Sequence, residues 1–470
     1  MENYIKNMCE FMQHSDYEEL TGIDSNGEVR FKDLPYQARK GQPLPPMMAD
    51  KVLTGASGSA CDSTLYIHIP FCNLRCTYCD FYRHHYEAQL TADYVQALLA
   101  ELDTLHDKGV FNSRNIKAVF FGGGTPSVLS PAEINSILNK LHNVAKLAEG
   151  CEITFESSLY DMDEEKLAAC INGGVNRFSF GVQSFDSTMR KAIGRTYSCE
   201  EAMQRLRRIV ELSGDKADII IDLIYGLPGQ STDTLLTDIQ RAVECGVSGM
   251  DLYKLQIMPK SPLGQAISNS KTDYQFTNKD LQQMFIVADE YLEKQGARQI
   301  SCCHWGFKDR ERSLYNTLVK NGTDIIACGC SCGGRLGAYQ YMKLLDTKNY
   351  LEKAVQGSFP AMAFIKQNEN YRFLEKLSGQ CDAGQLNFKA LAGFSSASWQ
   401  ELLSPVLEKW QKMNLLEACG DGYKFTPMGK YYYRQMTRVL LTAAEYALYG
   451  KPGLIEQAGQ KMMGMMKNLK

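Results

Sequence analysis

The chain has 470 residues, is 44% hydrophobic and 22% charged, and carries a net charge of −3. This length exceeds one ordinary domain and predicts two or three. The balanced charge argues against a nucleic-acid surface, no apolar run is long enough to span a bilayer, and the polar amino terminus is unlike a signal peptide. Sixteen cysteines without a disulfide-like framework indicate reduced thiols, so we expect a cytoplasmic protein in an anaerobic setting.

Residues 1–60 have weak periodicity and a proline-rich stretch, which predicts an extended amino-terminal arm. From residue 61 to 275, apolar stretches alternate with amphipathic ones such as 92–105 and 131–147. The sequence Ser130-Pro-Ala-Glu133 is a capping box that starts a helix at Pro131. The six candidate strands are Leu65–Ile69, Ala118–Phe121, Glu152–Glu156, Arg177–Val182, Ile219–Ile224 and Met250–Gln256.

Alternating strands and helices of this length predict an α/β fold with a parallel sheet. Six units are too few for an eight-fold barrel, so we expect a partial (β/α)6 barrel with its active groups at the carboxyl ends of the strands. Residues 276–360 are less regular and form a barrel extension with a Gly/Cys-rich loop. Helical patterns followed by a short hairpin predict a winged-helix-like domain over 361–450, and 451–470 form a Met-rich tail.

Three cysteines directly follow the first candidate strand, at Cys72, Cys76 and Cys79. Three thiolates on one loop can hold three corners of a cubane 4Fe–4S cluster, which leaves the fourth iron open to a small molecule. A structural zinc site would require four closed ligands, usually in paired spacings. The motif therefore predicts the cluster of a radical S-adenosylmethionine (SAM) enzyme, in which the open iron chelates the amino and carboxylate groups of SAM.

Further polar or glycine-rich segments follow the later strands. Phe121-Gly-Gly-Gly-Thr-Pro126 ends strand two, where consecutive glycines let a backbone approach a ligand with its amides free to bind. Glu156 ends strand three, Gln183 ends strand four, and Asp222 lies on strand five. Arg195 can pair with a carboxylate through two hydrogen bonds. Convergence of these side chains at one mouth favours ligand binding.

These motifs, together with Gly-Val-Gln-Ser-Phe and Ile-Asp-Leu-Ile-Tyr-Gly-Leu-Pro, resemble the radical SAM family of oxygen-independent coproporphyrinogen III oxidase (HemN-like) over residues 60–450. The resemblance implies two bound SAM molecules. It implies contacts to the cluster-bound SAM from Tyr66, Gly123 and Glu156. It implies that the second SAM is lined by Tyr78, Gly124, Thr125, Gln183, Arg195, Asp222 and Gln256, the last through its backbone.

Two branches of the family fit less well. The decarboxylating oxidase has a further cysteine where this chain has Phe81, and the haem-chaperone (HemW-like) branch has a His-Asn-x-x-Tyr-Trp motif where this chain has Arg310–Asn316. The latter run, with Gly337–Met342, resembles the anaerobilin synthase (ChuW/HutW-type) branch, which methylates haem and opens its ring without oxygen, releasing iron. The oxidase and the chaperone remain the alternative functions.

In that branch, the resemblance implies that one SAM yields a 5′-deoxyadenosyl radical, that this radical attacks the methyl group of the second SAM, and that the resulting carbon radical adds to haem. The implied partners are haem as substrate, a flavodoxin- or ferredoxin-like electron donor, and haem-delivery or anaerobilin-reducing proteins.

The remaining cysteines allow a second hypothesis. Cys328, Cys330 and Cys332 could hold a further cluster with Cys302 or Cys303 as the fourth ligand. Relatives carry small residues in this loop, which favours small buried cysteines and one cluster per chain. Zinc binding and redox pairing remain open.

Haem binding is assigned to the segment that distinguishes this branch. The histidines that could approach haem iron are His14, His84, His85 and His304. We favour His304, because Trp305 beside it could stack on the macrocycle, and Arg310 or Arg312 could pair with the propionates.

Overall fold

The structure, a computed structural model, describes residues 2–13, 21–22, 41–57, 61–394 and 398–450. The chain forms two compact units, one of Pro43–Val319 and Thr323–Ile365, the other of Met1–Gln42, Lys320–Gly322 and Lys366–Lys470. His14, most of the predicted arm and the Met-rich tail lie outside the described residues. No helix within the described ranges is long and apolar enough to cross a membrane.

Six parallel strands form the centre of the first unit and lie side by side in chain order. Each coincides with a predicted strand, and the last ends two residues earlier than expected, which confirms the partial α/β barrel. They are β1 (Cys61–Ile69), β2 (Arg114–Gly123), β3 (Leu147–Ser157), β4 (Arg177–Gln183), β5 (Asp218–Tyr225) and β6 (Gly249–Lys254).

Five of the six connecting helices begin at a residue whose side chain caps the helix, and Ala88–Asp107 begins without such a cap. At the predicted capping box, the Glu133 amide donates to Ser130 Oγ at 3.3 Å, and the Ser130 amide donates to the Glu133 carboxylate at 2.8 Å. Ile134, Ile137 and Leu141 of this helix are buried at the spacing of one helical face. These helices are Ala88–Asp107, Pro131–Val144, Glu164–Asn172, Ser187–Ala192, Cys199–Ser213 and Thr232–Glu244.

The sheet continues beyond the six predicted strands, mostly within residues 276–360, which were expected to be less regular, and also with Gln42–Leu44 of the predicted arm and Ala361–Lys366 of the predicted carboxyl-terminal domain. Asp324–Cys328 pairs in parallel with β1, and His304–Gly306 pairs antiparallel with β6. Within the described residues the sheet has thirteen strands. Its other members are Arg298–Ser301, Gly333–Leu336, Tyr339–Lys343, Ala361–Lys366 and Gln42–Leu44, while Phe71–Cys72 and His84–His85 form a separate pair. The further helices are Ala49–Ser57, Pro262–Ser268, Asn278–Lys294, Leu314–Lys320 and Thr347–Val355, with short 3-10 turns at Pro46–Met48 and Pro126–Val128.

The second unit contains a small antiparallel sheet of Gln385–Asn387, Gly422–Phe425 and Leu416–Cys419, in that order. A helix, a short strand, two helices and a hairpin follow one another, which is the order of elements in a winged helix. Its helices are Glu2–Met12, Tyr371–Asp382, Phe388–Leu391, Trp399–Lys412, Pro427–Tyr431 and Tyr433–Tyr449, with a 3-10 turn at Ala392–Phe394.

A buried ionic network fastens the Gly/Cys-rich segment to the barrel. The Lys343 ammonium pairs with the Glu101 carboxylate, and both side chains are fully buried. The same carboxylate accepts hydrogen bonds from the Tyr350 hydroxyl at 2.8 Å and the Gly329 amide at 2.9 Å. Because a buried charge is costly unless it is paired, this network stabilises one arrangement of residues 329–350 on helix Ala88–Asp107.

We expect Lys343→Met to lower the free energy of unfolding by about 3–5 kcal/mol, because it leaves the buried Glu101 carboxylate without its cation. Chemical denaturation measures this change. The matched control is Lys117→Met, whose ammonium lies 3.8 Å from the exposed Asp62 carboxylate, and its effect should stay below about 1 kcal/mol. Adding Glu101→Gln to Lys343→Met should restore part of the loss. Equal effects of the two lysine substitutions would contradict this account.

Candidate functional site

The three motif cysteines lie at the carboxyl end of β1. Cys72 ends the short strand Phe71–Cys72, and Cys76 and Cys79 follow on a half-buried loop. Thr125 Oγ1 donates to Cys72 Sγ at 3.3 Å, and the Phe81 amide donates to Cys79 Sγ, also at 3.3 Å. Hydrogen bonds to ligating sulfurs are a general feature of iron–sulfur sites, so these donors fit the predicted cluster.

The glycine-rich turn after β2 packs its backbone against the cysteine strand. The Gly124 amide donates to the Ile69 carbonyl and the Thr125 amide to the Phe71 carbonyl, each at 2.8 Å. A Cβ at Gly124 would lie 2.6 Å from the Phe71 oxygen, so only glycine permits this approach. The Gly123 amide donates to Glu156 Oε2 at 3.2 Å. The expectation that these amides are free was therefore wrong, because the amides of Gly123, Gly124 and Thr125 are already paired within the protein.

Carboxylates from neighbouring strands converge in the barrel interior. Glu156 lies at the end of β3, where burial raises its pKa to about 7, against the hydrogen bond from Gly123. Ser179 Oγ donates to Asp222 Oδ1 at 3.3 Å. Burial, and then the nearby charges of Asp251 and Glu156, raise the pKa of Asp222 well above its usual range. The interior therefore favours a ligand that brings positive charge or hydrogen-bond donors.

A second group of predicted residues meets at the end of β4. Gln183 has a φ of 71° beside a register shift in the β4–β5 pairing. A Cβ at Gly181 would lie 2.7 Å from Gln183 Nε2 and 3.1 Å from Arg195 Nη2, so glycine leaves room for both side chains. Arg195 Nη2 lies 3.4 Å from the Tyr78 hydroxyl, while its buried Nε has no hydrogen-bond partner among the described residues. That unpaired donor fits a carboxylate ligand.

Tyr66 and Gln256 complete the predicted set. The Tyr66 hydroxyl lies 3.2 Å from His68 Nδ1, and Tyr66 packs on Phe120 and Tyr315 inside the barrel. Gln256 is exposed immediately beyond β6. The structure thus places the predicted SAM residues in the barrel interior or at the carboxyl ends of its strands, while their individual contacts to SAM stay predictions.

The four residues predicted to hold haem lie elsewhere. His304 is buried, with Nε2 3.0 Å from Glu311 Oε1 and Nδ1 3.0 Å from Asp251 Oδ2. Trp305 is buried against Phe285, with ring centroids 6.2 Å apart. Neither side chain is accessible to a macrocycle, so this prediction was wrong.

The two arginines are also misplaced for propionates near the cluster. Arg310 Nε lies 2.6 Å from the carboxylate of Asp218, the first residue of β5, and Arg312 Nη2 donates to the Gly150 carbonyl at 3.1 Å. Both contacts lie towards the amino-terminal ends of the strands, opposite the cysteine loop. The predicted propionate contact is therefore incompatible with this structure.

Residues 310–315 instead close the floor of the barrel, a role that the sequence analysis missed. Glu311 Oε2 lies 3.1 Å from Nε of Arg177, the first residue of β4. The Leu314 and Tyr315 amides donate to the Glu152 carboxylate at 2.8 and 3.0 Å. The Tyr315 ring then stacks near Phe120 at 4.7 Å. No local pattern signals these contacts, because their partners are more than 130 residues away in the chain.

This floor contains opposite charges that stabilise one another. Burial opposes a charged His304, but Asp251 and Glu311 outweigh it and raise the pKa of His304 to about 9. Burial likewise opposes a charged Glu311, but Arg177 and His304 outweigh it and lower the pKa of Glu311 to about 2. Near neutral pH, His304 is therefore an imidazolium between two carboxylates.

We expect His304→Gln to destabilise the protein in a pH-dependent way. Because the pKa of His304 is raised in the folded protein, its charge adds to the free energy of unfolding. This stabilisation is fully present below the ordinary pKa of 6.5 and is lost as pH rises through about 9. The difference in free energy of unfolding between wild type and variant should therefore be largest near pH 6 and shrink towards pH 9.5. Denaturation across this range measures it, and a constant difference would show that His304 acts by packing alone.

The five cysteines considered for a second cluster lie in two separate places on the sheet. Cys328, Cys330 and Cys332 are buried beyond β1, whereas Cys302 and Cys303 are buried on the turn before His304–Gly306, next to β6. Cys332 Sγ lies 3.1 Å from the Gly329 carbonyl oxygen. Among the described residues, no three His, Cys, Asp or Glu side chains are placed to coordinate a single metal ion. The preference for one cluster stays a prediction.

Anaerobic reconstitution should give about four irons per chain. Replacing Cys328, Cys330 and Cys332 with alanine should leave this value unchanged, whereas replacing Cys72, Cys76 and Cys79 should abolish it. Iron analysis with absorption spectroscopy measures both. A reproducible value of about eight irons that falls when Cys328, Cys330 and Cys332 are replaced would establish a second cluster.

Comparison with known proteins agrees with this geometry. Residues 66–242 match the Radical SAM superfamily. The chain is 33% identical over 369 residues to anaerobilin synthase of Escherichia coli O157:H7, covering 78% of this chain and 81% of that protein. It is 28% identical over 389 residues to the haem chaperone HemW of Escherichia coli K12, covering 80% and 98% respectively.

The solved structure of coproporphyrinogen III oxidase (HemN) from Escherichia coli has the same fold, with a TM-score of 0.72, 19% sequence identity and coverage of 87% of this chain and 97% of that one. The site and fold thus define a radical SAM protein, whose cofactors are a 4Fe–4S cluster and SAM. Within that superfamily, the chain belongs to the HemN-like family that includes anaerobilin synthase and HemW.

Proposed function

We propose that this protein is a radical SAM methyltransferase that methylates haem and opens the porphyrin ring without oxygen, releasing iron. The observation that carries this proposal is the 33% identity to anaerobilin synthase, which extends over 81% of that protein. Phe81 also replaces the additional cysteine of the decarboxylating oxidase. A flavodoxin- or ferredoxin-like donor would provide electrons, and haem-delivery or anaerobilin-reducing proteins would act before and after this enzyme.

The residues at the carboxyl end of the barrel support two SAM sites. Cys72, Cys76 and Cys79 hold the cluster, which when bound supplies the electron that cleaves SAM. Glu156 accepts from the amine or a ribose hydroxyl of the first SAM, because its pKa of about 7 leaves a carboxylate available near neutral pH. Tyr66 and Gly123 complete that site.

For the second SAM, Arg195 pairs with the carboxylate through its unpaired Nε, and Gln183 lies within reach of the same group. Asp222 faces the interior. The positively charged amino group of this SAM favours the ionised form of Asp222, whose carboxylate then accepts a hydrogen bond from that amino group. Tyr78, Gly124, Thr125 and the backbone of Gln256 line the remaining walls. The packed floor below these residues closes the end of the barrel that lies opposite the cysteine loop.

The second candidate function is haem binding without consumption. HemW of Escherichia coli K12 matches over 98% of its own length, although at 28% identity. The His-Asn-x-x-Tyr-Trp motif of that branch is replaced here by Arg310–Asn316, which packs in the barrel floor. A chaperone would return haem unchanged, so the products separate the two functions.

Reconstituted protein incubated with SAM, a reductant and haem should lose the Soret band and yield a methylated linear tetrapyrrole. Absorption spectra and mass spectrometry measure this outcome. Replacing Cys72, Cys76 and Cys79 with alanine should abolish product, because no cluster remains. Cys419→Ala, an exposed cysteine of the second unit, is the control and should have wild-type activity. Haem recovered unmodified in the presence of SAM cleavage would favour the chaperone.

A further inference from the structure

We propose that haem docks on an exposed apolar rim formed by two loops at the barrel mouth, the cysteine loop with Phe81 and the loop after β6 with Ile257 and Met258. This inference rests on the proposed function and assigns its substrate site. It replaces the misplaced candidates His304 and Trp305.

The apolar part of the rim is unusually open to solvent. Phe81 is 77% exposed, and Ile257 and Met258 are 37% and 36% exposed. Exposed large apolar side chains on two loops that are hydrogen-bonded to each other form a candidate binding surface. A porphyrin provides a flat apolar face of matching chemistry, and an aromatic ring can stack on it.

The two loops are joined to each other and to the cluster motif. The Leu263 amide donates to the Thr77 carbonyl at 2.8 Å, so the loop after β6 is tied to the cysteine loop. The Phe81 amide donates to Cys79 Sγ, so this aromatic side chain begins beside a cluster ligand. A macrocycle on Phe81 would therefore lie next to the SAM sites, as methyl transfer from SAM requires.

Cations flank the apolar residues. Arg75 and Arg83 are exposed on the cysteine loop, and Lys260 is exposed two residues after Met258. The Arg75 guanidinium lies over the Tyr82 ring at 5.4 Å. Two propionates at the edge of an otherwise apolar ring match this distribution of charge.

The histidines of the same loop divide into two kinds. His84 Nε2 lies 2.8 Å from Thr347 Oγ1, so this imidazole is already engaged. His85 is exposed and is the register partner of Cys72 in the pairing of the two short strands. Of these neighbours, His85 is the one available to a ligand at the rim.

The test measures binding of ferric haem to the reconstituted, oxidised protein without reductant, so that no turnover occurs. Phe81→Ser and Met258→Ser should each weaken binding by about tenfold, the effect of losing one buried apolar side chain. Val355→Ser is the control, because Val355 is an apolar side chain that is 65% exposed at the last residue of helix Thr347–Val355, on neither of the two rim loops. Its affinity should equal that of wild type.

Arg75→Ala and Arg83→Ala should weaken binding of haem more than binding of haem dimethyl ester, which lacks the carboxylates. Iron content and thermal unfolding establish that each variant is intact. Should Phe81→Ser lose the cluster, Met258→Ser on the other loop carries the same test.

Wild-type affinity in both apolar variants would overturn the rim site even if haem is turned over. Binding that weakens as expected, combined with no methylated product from wild type, would refute the proposed function and keep the site. A wild-type protein that binds no haem would overturn both.

Discussion

The barrel of this protein depends on how one buried carboxylate, that of Glu311, is neutralised. It contacts the Arg177 guanidinium and the His304 imidazolium, and it accepts the Ser313 amide at 2.8 Å. These contacts join the start of β4, the strand beside β6 and the segment that precedes Tyr315. Because each charge is buried, removal of any one leaves the others without compensation. The charged groups of the floor pair with one another. Glu156 and Asp222 are not part of this network and lie in the interior above it.

The elements predicted correctly are those specified by neighbouring residues. Alternating apolar patterns located the six parallel strands, and the capping box at Ser130 located a helix start to the residue. The cysteine spacing after β1, Gln183 at the end of β4 and Asp222 on β5 led to the prediction of a site at one edge of the sheet, because parallel strands bring their carboxyl ends together. Because these patterns involve residues that are close together in the chain, they can be recognised without knowledge of the tertiary structure.

The errors arose where a residue's partner is distant in sequence. Arg310 looked available for a propionate, but its charge is used by Asp218, and the imidazole of His304 is used by Asp251 and Glu311. The Gly124 amide looked free because its acceptor, the Ile69 carbonyl, lies on another strand. Residue type showed that these groups could bind a ligand, and only the fold shows that they are already paired.

The parallel pairing of Asp324–Cys328 with β1 has a consequence for the order of assembly. Until that strand is made, β1 presents an unpaired edge whose Leu65 and Ile67 are apolar, the kind of edge that invites aggregation. At a synthesis rate of about 5–20 residues per second, the wait from β1 to its partner lasts roughly 13–50 seconds. During this interval the cysteine loop follows a strand that can pair with β2 on one side only. The strand that anchors the cysteine loop is therefore paired on both sides only after the barrel extension has been made, although the loop itself is among the first parts of the barrel to be synthesised.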